Sequence, residues 1–499
     1  MRNLRILLLT TLVTFIISAC SVDDADYELL PDKGDRVKIA DAESQDEFDR
    51  IWNSLSDSEK EFEYGYEVLN YYYLFAPSDS LKPNGTPWYK QLRNRYDYIG
   101  VGPAAFSGDG LEADDAILDT YFMFAMMGDQ YTYYVDPSQF SFDNFVDLME
   151  ARDNETNVGV SVSPAFNGTD SVLVVSQIFR GSPAANSSLA VGDTIFEVNS
   201  YKITNPSIFD RLTTGNKGSV VTLSVARMGE GEREEVDISL FEYLPPTVIY
   251  KIIDSIAIIQ ITQYSIENTP SDSGTYGEFM DALAATEDTK ATIIDLRGNP
   301  GGDGDQCQSI AAEFLNENDI LSVEYSANQD SITGEPVILK DTLYVTEDGY
   351  AKDRYVVFMT NQKTGSCAEY HIASVTSNKM TPVVGDQTYG KGVGYTMIPS
   401  YLNGAIVVTI AMVFDRNKHT YHMYGILPDV FVNDNAALDT AMAIAKDGTR
   451  ARTAGYAETV QNRFKVLAKQ PAKTAVIPTS ADLGMYKSPN SRSFGKVKR

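Results

Sequence analysis

The feature that most constrains the fold of this chain is ATIIDLRGNPGG at residues 291–302, an apolar strand that runs into a glycine-rich turn. Strand and helix candidates alternate around it. In chain order they are IDSIAIIQITQYS (strand, 253–265), GTYGEFMDALAAT (helix, 274–286), RYVVFMTN (strand, 354–361), GAIVVTIAMVF (strand, 404–414) and DNAALDTAMAIAK (helix, 434–446). Alternation of this kind predicts a layered α/β domain over residues 244–447, with functional sites at strand ends. Asn403-Gly404 is a hairpin turn signal before the last strand.

A different pattern precedes this domain, over residues 155–243. It contains the short strand candidates SVLVVSQIF, TIFEVN and VVTLSVAR, with RGSPAANSSLAVGDT forming a turn, a short helix and a second turn. The order resembles a PDZ domain, with a loop at Val158, Gly159 and Val160 followed by the GDTIFEVN segment. The resemblance implies that the loop's backbone amides hold a peptide's C-terminal carboxylate while the peptide joins a sheet edge. Another small β domain is the alternative.

The N-terminal part of the chain, residues 45–154, has a helical pattern. Apolar and aromatic residues recur at helical spacing in EFDRIWNSLSDSEKEFEYGYEVLNYYYLF, and its Tyr-rich end is expected to be core. The last segment, residues 448–499, is basic and poor in large apolar groups, which predicts poor order. The expected fold class is α/β and multidomain: a helical N-terminal region, a PDZ-like β domain and an α/β core.

The first twenty residues have the pattern of an export signal. A basic start is followed by the apolar run LLLTTLVTFII and then by Ile17-Ser18-Ala19-Cys20, which resembles a bacterial lipobox. We therefore expect residues 1–19 to be a removed signal peptide, Cys20 to carry a lipid and residues 20–44 to be an acidic tether. The protein would then be held to a membrane of the cell envelope, periplasmic, outer-membrane associated or surface-exposed. An ordinary signal peptide with a chance cysteine is the alternative.

The charge and the cysteines limit other functions. The chain has 69 acidic and 41 basic residues, a net charge of −28, which argues against nucleic acid as a partner. Without Cys20, only Cys307 and Cys367 remain. An exported protein could join them in a disulfide, but two buried free thiols are the expectation favoured here.

A candidate nucleophile lies in TGSCAEYH, residues 364–371, where either Ser366 or Cys367 could act, unless the segment is only a turn before a helix. His371 is a poor base for Ser366, because five residues along a helix turn it away. Lys391 is the other candidate base, and the flanking Gly390 and Gly392 permit close backbone approach. A lysine base needs its pKa lowered by about 3 units from ~10.4, which burial can do. A solvated turn is the alternative for this lysine.

Three segments in order, DLRGNPGG (295–302), TNQKTGSCAEY (360–370) and TYGKG (388–392), resemble the C-terminal processing peptidases. The resemblance covers about residues 45–446 around the PDZ-like region. It implies a ClpP/crotonase-like α/β core and peptide-bond hydrolysis of polypeptide substrates recruited through their C-terminal ends, with no metal or cofactor.

The resemblance also implies a role for each site residue. Ser366 is the expected nucleophile, Lys391 its general base, and the backbone amides of Cys367 and the Gly301-Gly302 turn the oxyanion hole. Tyr395 stands where family members often have glutamine. Its hydroxyl could support Lys391, or it could mark lost activity. A catalytically inactive, PDZ-type peptide-binding lipoprotein is therefore the alternative function.

Overall fold

A computed structural model describes most of the chain. The described residues are 45–75, 129–150, 153–166, 171–203, 205–227, 232–267, 269–329 and 336–447, together with 117, 120, 121, 123, 124 and 127. The predicted signal peptide (1–19), Cys20, the predicted acidic tether (20–44) and the tail over 448–499 lie outside these ranges. Within them, no helix combines the length and the apolar character needed to cross a membrane.

Helices and strands are numbered here in chain order. The α-helices are α1 (Gln45–Ser54), α2 (Asp57–Tyr72), α3 (Phe142–Glu150), α4 (Pro206–Thr213), α5 (Gly274–Ala285), α6 (Gly304–Ala312), α7 (Cys367–Asn378) and α8 (Asp434–Asp447). The strands are β1 (Tyr133–Val135), β2 (Val160–Phe166), β3 (Ser171–Ile178), β4 (Thr194–Val198), β5 (Tyr201–Lys202), β6 (Val220–Ala226), β7 (Arg233–Ser239), β8 (Val248–Ile253), β9 (Ile256–Ile261), β10 (Ala291–Asp295), β11 (Ile320–Gln329), β12 (Pro336–Tyr344), β13 (Val356–Thr360), β14 (Val383–Gly385), β15 (Val393–Pro399), β16 (Ala405–Phe414) and β17 (Val430–Phe431). A short 3₁₀ turn covers Ala184–Asn186.

A six-stranded sheet, in the order β17-β14-β13-β10-β9-β8, forms the centre of the α/β core. Its strands from β9 to β17 are parallel, and β8 pairs antiparallel with β9. Helices α5, α6 and α7 pack on one face and α8 on the other, which explains the nearly continuous apolar character of β10 and β13. Because β10 and β13 are parallel neighbours, the turn after Asp295 and the segment after Thr360 meet at one edge. The predicted α/β core is confirmed.

One strand prediction needs correction. The segment 253–265 is predicted to be one strand, but β8 and β9 form a hairpin through Asp254 and Ser255, whose φ angles are 51° and 63°. Positive φ at both central residues is typical of the two-residue turn that matches strand twist, here made without glycine.

The strand predicted over residues 404–414 is observed as β16. The turn at Asn403 (φ 68°) folds it back on β15, as the hairpin signal predicts. It lies in a second, antiparallel sheet with β1, β11, β12 and β15, and not in the sheet that contains β9, β10 and β13.

This second sheet packs against α2. The Tyr-rich end of the N-terminal segment lies in that core, with Tyr73, Leu74 and Phe75 all buried, as the sequence predicts. Glu61 of α2 is fully buried and accepts a hydrogen bond from the Tyr134 hydroxyl at 2.7 Å. The N-terminal region is therefore not a separate unit, because its helices cover one face of the antiparallel sheet.

The PDZ-like region is an antiparallel sheet in the order β2-β3-β4-β6-β7, with β5 paired to β4 and α4 beside β2. Strand β2 is at the edge of this sheet. The side chain of Gln177 joins the region to the α/β core: it accepts from the Tyr250 amide at 2.9 Å and donates to the Val248 carbonyl at 3.3 Å. These bonds occupy backbone groups of β8, the edge strand of the parallel sheet.

A disulfide joins Cys307 on α6 to Cys367 on α7, with their Cα atoms 5.7 Å apart. The favoured expectation of two free thiols is therefore wrong. Sixty residues separate the two cysteines in sequence, so their proximity follows only from the side-by-side packing of α6 and α7 on the sheet.

We expect breaking this disulfide to lower the free energy of unfolding by about 2–4 kcal/mol, because the cross-link restricts the unfolded chain. Chemical denaturation of the wild type with and without a dithiol reductant measures the difference. The double variant Cys307→Ala/Cys367→Ala is the control, since reductant should not change its unfolding. Equal midpoints for oxidised and reduced wild type would contradict the prediction.

Candidate active site

Ser366 lies between β13 and α7, immediately before the helix begins. Its backbone has φ 53° and ψ −119°, a strained conformation for a residue with a side chain. Hydrogen bonds on both sides hold it: the Gly365 amide donates to the Asn299 carbonyl at 2.9 Å, and the Tyr370 amide donates to the Ser366 carbonyl at 2.9 Å. The strand-to-helix turn thus presents the hydroxyl beside the first amides of α7, which have no acceptor within the helix.

The glycine turn after β10 lies against this serine. A Cβ on Gly301 (φ +104°) would approach the Ser366 Cβ to 2.6 Å, and one on Gly302 (φ +139°) would approach the Tyr264 carbonyl oxygen to 1.8 Å. Only glycine fits at either position, because both the backbone angle and the space exclude a side chain. The two glycines of the motif therefore allow the backbone of this turn to lie next to Ser366.

The amides of this turn are not equally available. The Gly301 N–H donates to Asn299 Oδ1 at 2.8 Å. The amides of Gly302 and Cys367, in contrast, have no acceptor among the described residues. The Gly301-Gly302 pair therefore offers one donor, from Gly302, while Gly301 contributes close approach.

Tyr264 and His371 hold the glycine turn in place from the side of the hydrophobic core. The Tyr264 backbone accepts from the Asp303 amide at 2.9 Å and donates to the Gly301 carbonyl at 3.0 Å, while its hydroxyl hydrogen-bonds His371 Nδ1 at 2.9 Å. Complete burial lowers the pKa of His371 to about 3, so its ring is neutral. His371 is thus a structural residue facing the core, consistent with its expected unsuitability as a base for Ser366.

Glu369 connects the two candidate catalytic segments. Its carboxylate is fully buried and accepts from the amides of Ser366 (2.9 Å), Gly390 (2.7 Å) and Lys391 (2.8 Å), and from the Thr388 hydroxyl. Burial raises the pKa of Glu369 to about 7, although these four hydrogen bonds oppose that shift. One side chain therefore fixes the backbone of Ser366 relative to that of Lys391.

Lys391 is mostly buried, and this lowers its pKa to about 8, with the carboxylates of Glu369 and Asp129 opposing the change. Its Nζ lies 4.0 Å from the Tyr395 ring centroid and 5.2 Å from the Tyr131 ring centroid. A lysine with this pKa is neutral in an appreciable fraction of molecules near neutral pH, which a base requires.

The glycines around Lys391 permit the close approach that the sequence suggests. A Cβ on Gly390 would come within 2.8 Å of the Gly425 amide nitrogen, and one on Gly392 within 2.8 Å of the His422 amide nitrogen. The Lys391 turn is therefore pressed against the segment 421–425 and is not a solvated turn.

Tyr395 contacts Lys391 through its ring. The described residues include no hydrogen bond from the Tyr395 hydroxyl to Nζ, so the expected hydroxyl contact is absent in this conformation. A cation over a ring face is stabilised. Tyr395 therefore favours the charged lysine and works against the pKa decrease that burial causes.

Ser366, Lys391, Gly302, Cys367 and Tyr395 all line one cavity of about 850 Å³ between the two sheets. The structure thus brings together residues from three separate segments. Sequence analysis gave no role to Asn299, which orients the glycine turn, to Asp129, whose charge acts on the pKa of Lys391, or to Tyr131, whose ring lies near its Nζ. Asp129 and Tyr131 lie in the segment GDQYTYYVDPSQF, before β2.

The expected peptide loop of the PDZ-like region is largely occupied. The Val158 amide donates to the Thr213 carbonyl at 3.2 Å, and the Gly159 amide donates to Asn157 Oδ1 at 2.7 Å. Val160 begins β2, whose outer edge pairs with no other described strand. In this conformation the outer edge of β2 is unpaired, with β8 packed near the strand, whereas the amides of Val158 and Gly159 are not free for a carboxylate.

Comparison with known proteins agrees with this geometry. Residues 255–432 match Peptidase family S41, and residues 147–226 match the PDZ domain. The chain is 28% identical to the carboxy-terminal processing protease CtpA of Bacillus subtilis, over 69% of each chain. It is 26% identical to the carboxy-terminal-processing protease of Bartonella bacilliformis, over 52% of this chain and 58% of that protein.

Among solved structures, the photosystem II D1 C-terminal processing protease aligns with a TM-score of 0.45 and 18% identity, over 76% of this chain and 94% of that one. The two family matches cover the α/β core with its glycine turn, Ser366 and Lys391, and the β domain before it. The chain is therefore similar to peptidase family S41 over residues 255–432 and to the PDZ domain over residues 147–226.

Proposed function

We propose that this protein is a serine endopeptidase that cleaves polypeptides with Ser366 as nucleophile and Lys391 as general base. The observation that carries the proposal is the Glu369 carboxylate, which binds the amides of both residues while their side chains line one cavity. A protein that only bound peptides would not need a desolvated lysine fixed to a strained serine.

The reaction follows from these positions. Neutral Lys391 takes the hydroxyl proton as Ser366 Oγ bonds to the peptide carbonyl carbon, and the oxyanion accepts hydrogen bonds from the amides of Gly302 and Cys367. The C–N bond then breaks, with Lys391 returning the proton to the leaving amine. Water, deprotonated by Lys391, releases the acyl group and restores Ser366. No metal or cofactor takes part in these steps.

Substrate recruitment is proposed for the PDZ domain. The unpaired outer edge of β2 can accept an extended peptide as an additional strand, beside α4. Because the amides of Val158 and Gly159 are engaged, binding at this edge depends first on the peptide backbone. A C-terminal segment suits this edge, since a chain end can enter it without unfolding the rest of the substrate.

We expect Ser366→Ala, Lys391→Ala and the double variant to lose peptidase activity to a similar level, by roughly 10³-fold or more, because a unit of two groups fails when either is removed. Lys391→Arg should fail too, since guanidinium stays charged. Cleavage of a fluorogenic peptide, with circular dichroism to confirm folding, measures this. Lys363→Ala is the control, an exposed lysine three residues before Ser366 that should keep its activity. An active Ser366→Ala, or activity lost equally in Lys363→Ala, would contradict the assignment.

The pH dependence should report Lys391. Its pKa of about 8 means that the neutral, reactive form increases as pH rises, so kcat/KM should climb from pH 6.5 and level off above about pH 9. Asp129→Asn should shift the rise to lower pH, because the Asp129 carboxylate stabilises the charged lysine. Initial rates measured across this pH range test the prediction. A kcat/KM that falls as pH rises, or a rise that Asp129→Asn shifts to higher pH, would exclude Lys391 as the base.

Strand addition at β2 predicts a dependence on alternate backbone amides of the substrate. N-methylation of residues whose N–H faces the sheet should raise KM roughly fivefold for each lost hydrogen bond. Methylation of the intervening residues is the matched control, because their N–H groups point away. Steady-state kinetics with both peptide series, in free-acid and amidated forms, tests this. Equal KM values in the two series would rule out strand addition, and a large effect of amidation would indicate that the carboxylate loop opens.

A further inference from the structure

The lining of the cavity includes a carboxylate, that of Glu324, which the proposed mechanism does not use. Side chains alternate along β11, so Val323 and Tyr325 point into the core beneath α2 while Ser322 and Glu324 face the other way. Glu324 lines the same cavity as Ser366 and is mostly buried. The cavity therefore has an acidic group on the sheet side.

A chain of hydrogen bonds fixes this carboxylate relative to the nucleophile's helix. Tyr370, one helical turn after Ser366, donates its hydroxyl proton to Ser322 Oγ at 3.0 Å, and Ser322 Oγ donates to Glu324 Oε1 at 2.9 Å. The four residues from Ser366 to Tyr370 correspond to a rise of about 6 Å along the helix axis. The position of Glu324 is thus set by the same helix that presents Ser366.

Few hydrogen bonds or ion pairs offset the loss of hydration at the Glu324 carboxylate. Ser322 is its only hydrogen-bond donor among the described residues, and no lysine or arginine of those residues forms an ion pair with it. Burial raises its pKa, and nearby Asp341 adds to the increase. A desolvated carboxylate in this state gains from a cation that enters the cavity, because a charge-assisted hydrogen bond replaces lost hydration.

The surroundings of Glu324 fit a long, basic side chain. Val413, the register partner of Glu324 on β16, lines the cavity together with the buried Tyr421 and gives an apolar surface next to the carboxylate. Lysine and arginine bury their methylene stems against such a surface while the charged head makes polar contacts. Lys391 does not serve as the internal cation, since the carboxylates that raise its pKa are Glu369 and Asp129.

We propose that Glu324 is a specificity-determining residue that forms the acidic end of a subsite for a lysine or arginine side chain of the polypeptide substrate near the scissile bond. The inference rests on the proposed peptidase function and adds a substrate class to it.

The test uses matched peptides that differ at one position beside the scissile bond, with lysine, arginine, leucine or glutamate there. Wild type should cleave the lysine and arginine peptides with a kcat/KM about tenfold above that of the leucine peptide, and the glutamate peptide most slowly. In Glu324→Gln the ratio of lysine to leucine peptide should fall to about one. Asp288→Asn is the control, because Asp288 is an exposed carboxylate that neither lines the cavity nor contributes to the pKa shift of Glu324; its ratio should equal that of wild type.

Binding of the same peptides to Ser366→Ala, followed by calorimetry, separates this inference from the peptidase proposal. If Ser366→Ala binds the basic peptides more tightly and Ser366→Ala/Glu324→Gln does not, the subsite is supported. This conclusion holds even if wild type cleaves none of the peptides, because the absence of cleavage would overturn only the proposed activity. A ratio unchanged by Glu324→Gln in both assays, or a preference of wild type for leucine or glutamate, would overturn the role of Glu324 and leave it a structural carboxylate.

Discussion

The buried Glu369 carboxylate is the interaction on which the rest of the site depends. It lies on the first turn of α7 and accepts hydrogen bonds from the amides of Ser366 and Lys391, which are 25 residues apart in sequence. A buried carboxylate with four donors can adopt few other arrangements, since any lost donor leaves charge without compensation. The strained backbone of Ser366 is therefore maintained by a side chain that has no direct part in the proposed chemistry.

The parallel sheet supplies the second constraint. Adjacent strands β10 and β13 end at the same edge, so the glycine turn and the serine turn are neighbours before any side chain acts. Tyr264, anchored to the neutral His371 in the core, holds the glycine turn in place from behind. The disulfide between Cys307 and Cys367 links the helices that follow these two turns. Backbone geometry at the site is thus determined by the sheet, by a buried aromatic–histidine contact and by a covalent cross-link.

Charge at the site reflects a balance of opposing effects. Burial favours neutral Lys391, whereas the carboxylates of Glu369 and Asp129 favour its charged form, and the result is a pKa of about 8. Glu324 lines the same cavity, and burial leaves it with a single hydrogen-bond donor among the described residues. The same physical cause, removal from water, lowers the pKa of Lys391 and raises that of Glu324. In the proposed peptidase, both the reactivity of the site and its substrate preference would therefore depend on the exclusion of water from the cavity.

The sequence by itself determined the local features: the apolar strands β10 and β13, the glycine turns, and Ser366 and Lys391 as the pair worth testing. The strands and glycine turns follow from patterns within a few residues, since strand periodicity and the conformational range of glycine are local properties. The pair Ser366 and Lys391 followed from the family resemblance of three ordered segments. Tertiary structure alone decided that Cys307 meets Cys367, that the Gly301 amide donates to Asn299, and that β16 lies in a second sheet. It also placed Glu324 in the same cavity as Ser366. Those outcomes depend on which distant segments pack together, and no spacing along the chain encodes the energy of contacts between them.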